Sequence, residues 1–328
     1  MSKKKRRRKQ SNKLGIYIAI ILVFVIIALI EFGLKKGSEP QYKYTYNPTT
    51  KYESTSSVET YEESSPIQED VTTSLKSSDV VVLKEGLEIP ICGVVAKRLD
   101  HELRKFQNYS LCYRETYEQA EWSAYSLTAN QLIKNADRTN DFRPDNRIST
   151  QSASLADYKG SGYDRGHLTP AADMSFSEQA MSETFFMSNM SPQEPQFNRG
   201  IWMYLEAQVR KWAERFGRVY VVSGPILDKS ADKYKTIGNN KVVVPELYYK
   251  VILVPLYEDS NDFDTPNDSK SVMAIGFIIP NRKCDDSFWN YATSIDNVEN
   301  MTGLDFFALL DDDIENYIES TYVLSNWK

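Results

Sequence analysis

Apolar residues follow three different rhythms along this chain, and each rhythm predicts a different kind of element. Leu14 to Ile30 is an unbroken apolar run of 17 residues. That is at the short end of what crosses a bilayer as a helix, and Phe32 to Leu34 extend it if Glu31 snorkels to the interface. From Gly37 to about Glu85 the rhythm gives way to Ser, Thr, Glu, Tyr and Pro, a composition that buries too little apolar surface to offset the entropy of ordering. Beyond Leu87 regular patterns return. Tyr109–Tyr113 and Glu121–Leu127 alternate and carry aromatics, which predicts paired strands. Arg218–Ser223, Leu247–Leu256 and Ser271–Ile279 read as further strands, the last stopping at Pro280-Asn281. From Asn198 or Arg199 onward, Trp202, Leu205, Val209, Trp212 and Ala213 recur at three- and four-residue spacing, the signature of an amphipathic helix ending at Gly217. Asn135 to Ala156 reads as irregular loop, and Gly160, Gly162 and Gly166 as tight backbone. Phe288 to Ile318 is helical in places, with Asp311–Asp313 as solvated surface.

The expected class is therefore α+β, a mostly antiparallel sheet with helices on its faces. The expected organisation is a basic cytoplasmic tail (1–13), a transmembrane signal anchor (14–34), a flexible stalk (35–86) and one folded domain (87–328).

Charge sharpens that division. Lys3 to Lys9 is an unbroken basic run, and Met1–Lys36 carries a net +9 in a chain whose total is −6. The remainder is −15, of which the stalk supplies −5, so the folded domain stands near −10. Cations lying before the apolar run predict a cytoplasmic N-terminus and an exported domain, periplasmic or extracellular, on a single-pass anchor. Secretion after signal cleavage is the alternative, although no small-x-small site follows the run. The three cysteines, Cys92, Cys112 and Cys284, show no metal spacing. Cys112 reads as a small buried hydrophobe, with a disulfide between two of the three as the alternative.

The chain has only two histidines, His101 and His167. Any step needing a side chain that titrates near neutrality falls to one of them. His167 closes the run Asp164-Arg165-Gly166-His167, where it reads as a general base with Arg165 gripping a phosphate beside it. Asn198 offers a hard, neutral oxygen suited to Mg²⁺, an ion that keeps several waters and takes few protein ligands. On a continuous helix, Glu206 lies about 12 Å further along, close enough to share a cavity and hold a metal-bound water. No second His or Cys stands near for a zinc site.

Three segments together carry a resemblance. Tyr158–Pro170, Phe185–Gln193 and Asn198–Glu206 closely resemble the DNA/RNA non-specific endonuclease family, which has the ββα-metal (His-Me finger) fold and includes endonuclease G-like enzymes. Glu121–Tyr125, Val221–Pro225, Ile279–Asn281 and Gly303–Phe307 extend it to about Tyr109–Phe307, leaving anchor and stalk outside. The resemblance implies an endonuclease that hydrolyses DNA or RNA without reading sequence. His167 would be the base, Asn198 the ligand of Mg²⁺ (or Mn²⁺), Glu206 the carboxylate positioning metal-bound water, and Arg165 a phosphate contact. It also implies a second phosphate-binding arginine upstream, matched by Arg138 or by Arg143. Asp164 and Asn189 are expected to support the loop and the backbone beneath the histidine. The partners expected are nucleic acid and, through residues 14–34, a membrane, with a homodimer left open. The rivals are a membrane-anchored protein that grips nucleic acid or a partner without cutting, and a hydrolase of another phosphodiester.

Overall fold

A computed structural model of the chain describes residues 81–90, 100–256, 268–269 and 271–328. All of them lie in one compact unit, Thr72–Lys328. The expected tail, anchor and most of the stalk lie outside the described residues.

The frame is a seven-stranded antiparallel sheet. Its strands are β1 (His101–Lys105), β2 (Ser110–Arg114), β3 (Gln119–Thr128), β6 (Arg218–Pro225), β7 (Leu247–Leu256), β8 (Ser271–Pro280) and β9 (Ala292–Thr293). Strands β4 (Asp164–His167) and β5 (Met190–Gln193) pair separately as an antiparallel hairpin. In the large sheet the spatial order is β9-β8-β7-β6-β3-β2-β1, so the longest strands are central. Strict alternation splits each central strand between two cores. In β7, Tyr248, Ile252 and Val254 enter one, and Tyr249, Val251 and Leu253 enter the other.

The first core is closed by helix α1 (Met203–Phe216), whose Leu205, Val209, Trp212 and Ala213 are buried as the spacing predicts. Gly217, with φ 77°, ends the helix in a conformation that favours glycine. Trp212 anchors the packing: its ring meets Trp327 at 4.9 Å, and its Nε1–H donates to the Trp327 carbonyl at 2.9 Å. The second core is closed by α2 (Ile295–Thr302) and α3 (Asp312–Ser320). Val81 and Leu83, assigned by composition to the stalk, are also buried there.

Three expectations need correction. Asp164–His167 is a strand rather than a loop, because the hairpin partner supplies hydrogen bonds that local sequence cannot reveal. The predicted helix begins only at Met203. Phe197–Trp202 is an irregular turn broken at Gly200 (φ −116°, ψ −112°), so Asn198 and Glu206 do not share one helix. Cys112 is disulfide-bonded rather than a plain buried hydrophobe, and Cys284 is free. Cys92 lies outside the described residues.

Candidate active site

The β4–β5 hairpin, followed in the chain by α1, makes a strand–strand–helix unit docked on the sheet. Ser191 fastens it, bonding the Gln119 side chain and the Tyr248 hydroxyl at 2.5 Å each. The Tyr248 hydroxyl also donates to the Pro192 carbonyl at 3.0 Å. Asn281 clamps the same corner, donating to the Pro192 and Pro245 carbonyls and accepting from the Glu194 N–H at 2.8 Å.

Within β4, Arg165 and His167 are two residues apart and so project to one face. Between them Gly166 is obligatory on steric grounds: a Cβ there would sit 2.1 Å from Cδ of the fully buried Gln193. Behind the histidine, the buried Asn189 amide accepts from the Thr169 N–H and donates to the Thr169 and Thr184 carbonyls. These bonds fix the backbone that carries His167.

The histidine ring lies in an aromatic cage. Phe185 meets it edge-on at 4.9 Å and Phe142 at 5.8 Å. Each phenylalanine in turn carries an arginine on its face, Arg165 over Phe142 at 4.0 Å and Arg138 over Phe185 at 4.8 Å. Burial lowers the His167 pKa from 6.5 to about 3, and the two arginines push the same way. The ring is therefore neutral and able to accept a proton across the physiological range. Nε2 is buried without a partner among the described residues.

Arg138, rather than Arg143, stands beside the histidine. Arg143 is tied into a structural web, donating to Asp141 and Ser182 and lying 3.8 Å over Phe186. The second histidine has no such setting: His101 packs between Asp100 (3.0 Å) and Glu121 (3.3 Å) on β1.

Asp164, at the start of β4, organises the other half of the site. It accepts from Asn198 Nδ2 at 2.9 Å and takes a two-pronged grip from Arg199 at 2.8 and 2.6 Å. With Nδ2 committed to Asp164, Asn198 keeps its carbonyl oxygen as an acceptor. A hard oxygen of this kind, braced by the Asp164 carboxylate, is the type of donor that an oxygen-preferring divalent cation takes.

Glu206, in the first turn of α1, has a pKa raised to about 7 by burial, against the pull of Lys250 and with a push from Asp173. Lys250 was invisible as a functional residue in the sequence, since it sits inside an apolar strand run. It is fully buried on the face of β7 that meets α1, donates to the Ser223 hydroxyl and lies 4.5 Å over the Trp202 ring. Burial lowers its pKa to about 8. Asp173 completes the cluster, accepting from Arg210 and from the Tyr125 hydroxyl at 2.6 Å each. Phe142 and Phe185 also escaped the sequence reading, because a caging aromatic looks like any core aromatic.

Residues 92–313 match the family model described as DNA/RNA non-specific endonuclease. Among curated proteins, the chain is 37% identical over 224 residues to "Nuclease EXOG, mitochondrial" of Xenopus laevis, covering 65% of this chain and 60% of that protein. It is 40% identical over 201 residues to "Nuclease 1, mitochondrial" of Schizosaccharomyces pombe, covering 57% and 60% respectively. "Nuclease C1" of Cunninghamella echinulata is 37% identical, with 62% of this chain and 82% of that protein covered. The match thus spans about 60% of the length of the first two relatives. A solved structure titled "Crystal structure of the EndoG/EndoGI complex: Mechanism of EndoG inhibition" superposes with a TM-score of 0.57 at 32% identity, covering 65% of this chain and 88% of that one.

These findings overturn the expected location, a single-pass membrane protein with an exported domain. Several of the matching relatives are named as mitochondrial nucleases. Among the described residues no helix is long and apolar enough to cross a membrane. The segment 14–34, on which that expectation rested, lies outside them. A family match across 92–313, joined to a fold that superposes on a solved relative at 32% identity, means that the chain belongs to the DNA/RNA non-specific endonuclease family.

Proposed function

We propose that the chain is a metal-dependent endonuclease that hydrolyses phosphodiester bonds of DNA or RNA without reading base sequence. The observation that carries this is a buried, neutral His167 framed by Arg138 and Arg165. Two fixed positive charges favour a phosphate at that point, and they also keep the histidine unprotonated until it takes a proton from water. Asn198 is the proposed ligand of Mg²⁺ or Mn²⁺, aimed by Asp164. When bound, the cation would supply charge neutralisation at the phosphate and the leaving oxygen. Glu206 orients water, and Arg138 and Arg165 hold the phosphate by charge-assisted hydrogen bonds.

The acidic body of the domain makes binding dependent on this local basic cleft, and so sensitive to salt. The test is digestion of circular plasmid by the full chain with Mg²⁺ and with EDTA. Nicking followed by degradation, suppressed by the chelator, is the expected result. An intact plasmid in both, from folded protein, would favour a non-catalytic binding role.

Asp164 gives a finer check. Asp164→Asn removes the charge and one of the two acceptor oxygens, so the two-pronged Arg199 grip is broken and the Asn198 amide is less firmly held. Losing such a supporting partner weakens metal affinity by about 10–100-fold. Titrating the nicking rate with Mg²⁺ should show the half-saturation point rising by that factor, with the rate at saturating metal little changed.

A further inference from the structure

Outside the site just described, five carboxylates converge where the two helices of the second core meet. Asp296 and Glu299 stand three apart on α2, Glu315 and Glu319 four apart on α3, and Asp305 in the segment between them. At these spacings each helix presents its pair on one face. Ligand oxygens of Asp296, Glu299 and Glu319 lie within 4.8 Å of one another, and so do those of Asp305, Glu315 and Glu319. Glu319 belongs to both groups.

Exposed acidic groups often cluster without purpose, but Glu319 is not exposed. Its side chain is on the inner side of α3, only 7% of the residue is accessible, and its Oε1 is buried with no hydrogen-bond partner. Glu315 Oε1 is in the same state. Among the described residues, no lysine or arginine forms an ion pair with any of the five. Buried carboxylates in such company must either take up protons or coordinate a cation.

A proton is the weaker solution. One proton shared between Glu299 and Glu319 relieves a single pair and leaves the Asp305–Glu315 side unanswered. A divalent cation seated at Glu319, the residue common to both groups, would neutralise several of these carboxylates at once, and Ca²⁺ accepts six to eight oxygens in flexible geometry.

We propose that this nest binds one Ca²⁺ ion, with Glu319 as the ligand common to both triads, and that the ion ties α2 to α3. Several carboxylates and no imidazole or thiolate favour Ca²⁺ over zinc. The number of charged ligands favours it over Mg²⁺, which keeps most of its waters. The site would be structural and separate from the metal of Asn198, and the proposal does not rest on the nuclease reading.

Thermal unfolding of the full chain, freed of metal by chelation and then titrated with CaCl₂, tests it. Wild type and Asn198→Ala should both gain about 5 °C or more in Tm once Ca²⁺ stands a hundredfold above its Kd. Glu319→Gln, which removes one charge without changing shape, should lose the gain. Asp305→Asn, at an exposed position outside both helices, should need about tenfold more Ca²⁺ and guards against misfolding of the first variant. No response in wild type, an undiminished response in Glu319→Gln, or an equal gain with MgCl₂ at the same concentration would each overturn the proposal.

Discussion

Replacing His167 by alanine should lower the turnover of plasmid nicking by about 10²–10⁴-fold, the contribution of a well-placed general base. KM should change little, because Arg138 and Arg165 keep their places on Phe185 and Phe142. A mutation that instead raised KM and spared turnover would make His167 a binding residue. The same variant carries a second signature in stability. The pKa of His167 is about 3 in the folded chain and about 6.5 in an unfolded one. The folded state therefore resists protonation. Stability that is complete above pH 6.5 is lost as pH falls from there towards 3. Two pH units of that window correspond to roughly 3 kcal/mol. Urea titrations at pH 7 and pH 4.5 should thus show wild type losing about that much more than His167→Ala. Equal losses would mean that the ring is solvated and free to protonate.

Lys250→Met should move the acidic limb of the pH–rate profile upward by a unit or more, with activity at pH 7 falling about tenfold. The neutral state of His167 extends well below pH 5, so the histidine is not the group that limits activity on the acid side. In the proposed mechanism Glu206 is: burial holds its pKa near 7, and Lys250 is the first influence opposing that rise. Methionine preserves the length of the stem over Trp202 but removes the charge, so Glu206 would stay protonated to higher pH. For stability the sign is the reverse of the histidine case. A carboxylate whose pKa is raised from 4.5 to about 7 costs the fold nothing below pH 4.5 and progressively more as pH climbs through 7. The variant should extend that loss to higher pH. Rates measured between pH 5.5 and 9 decide the matter, and an unmoved limb would detach Lys250 from Glu206.

Much of this architecture was legible in the amino-acid order. The five longest strand and helix predictions rest on patterns set by the two cores. The near-continuous apolar runs of β6, β7 and β8 reflect a sheet covered on both sides, and the spacing of Leu205, Val209 and Trp212 reflects one buried helix face. What escaped has a common cause, since it depends on partners distant in the chain. β4 is a strand because β5 lies beside it. Gly200 interrupts the helix before Met203, in the same turn from which Asn198 reaches Asp164, a residue 34 positions earlier. Lys250 reads as an anomaly in an apolar run until Glu206 and Trp202 are brought to it from elsewhere. The candidate site was readable as a set of residue types. Its aromatic cage and buried lysine were not, because neither differs locally from ordinary core.

Arg199 is 71% exposed, whereas the Asp164 that it grips is only 18% exposed. An ion pair with one partner so open to solvent is weakened by added electrolyte. Dissolved salt would therefore act on this molecule at two separate points, competing for the phosphates of the polymer and loosening the brace behind Asn198. Ionic strength would govern how well the chain holds its cation as well as how tightly it grips its substrate.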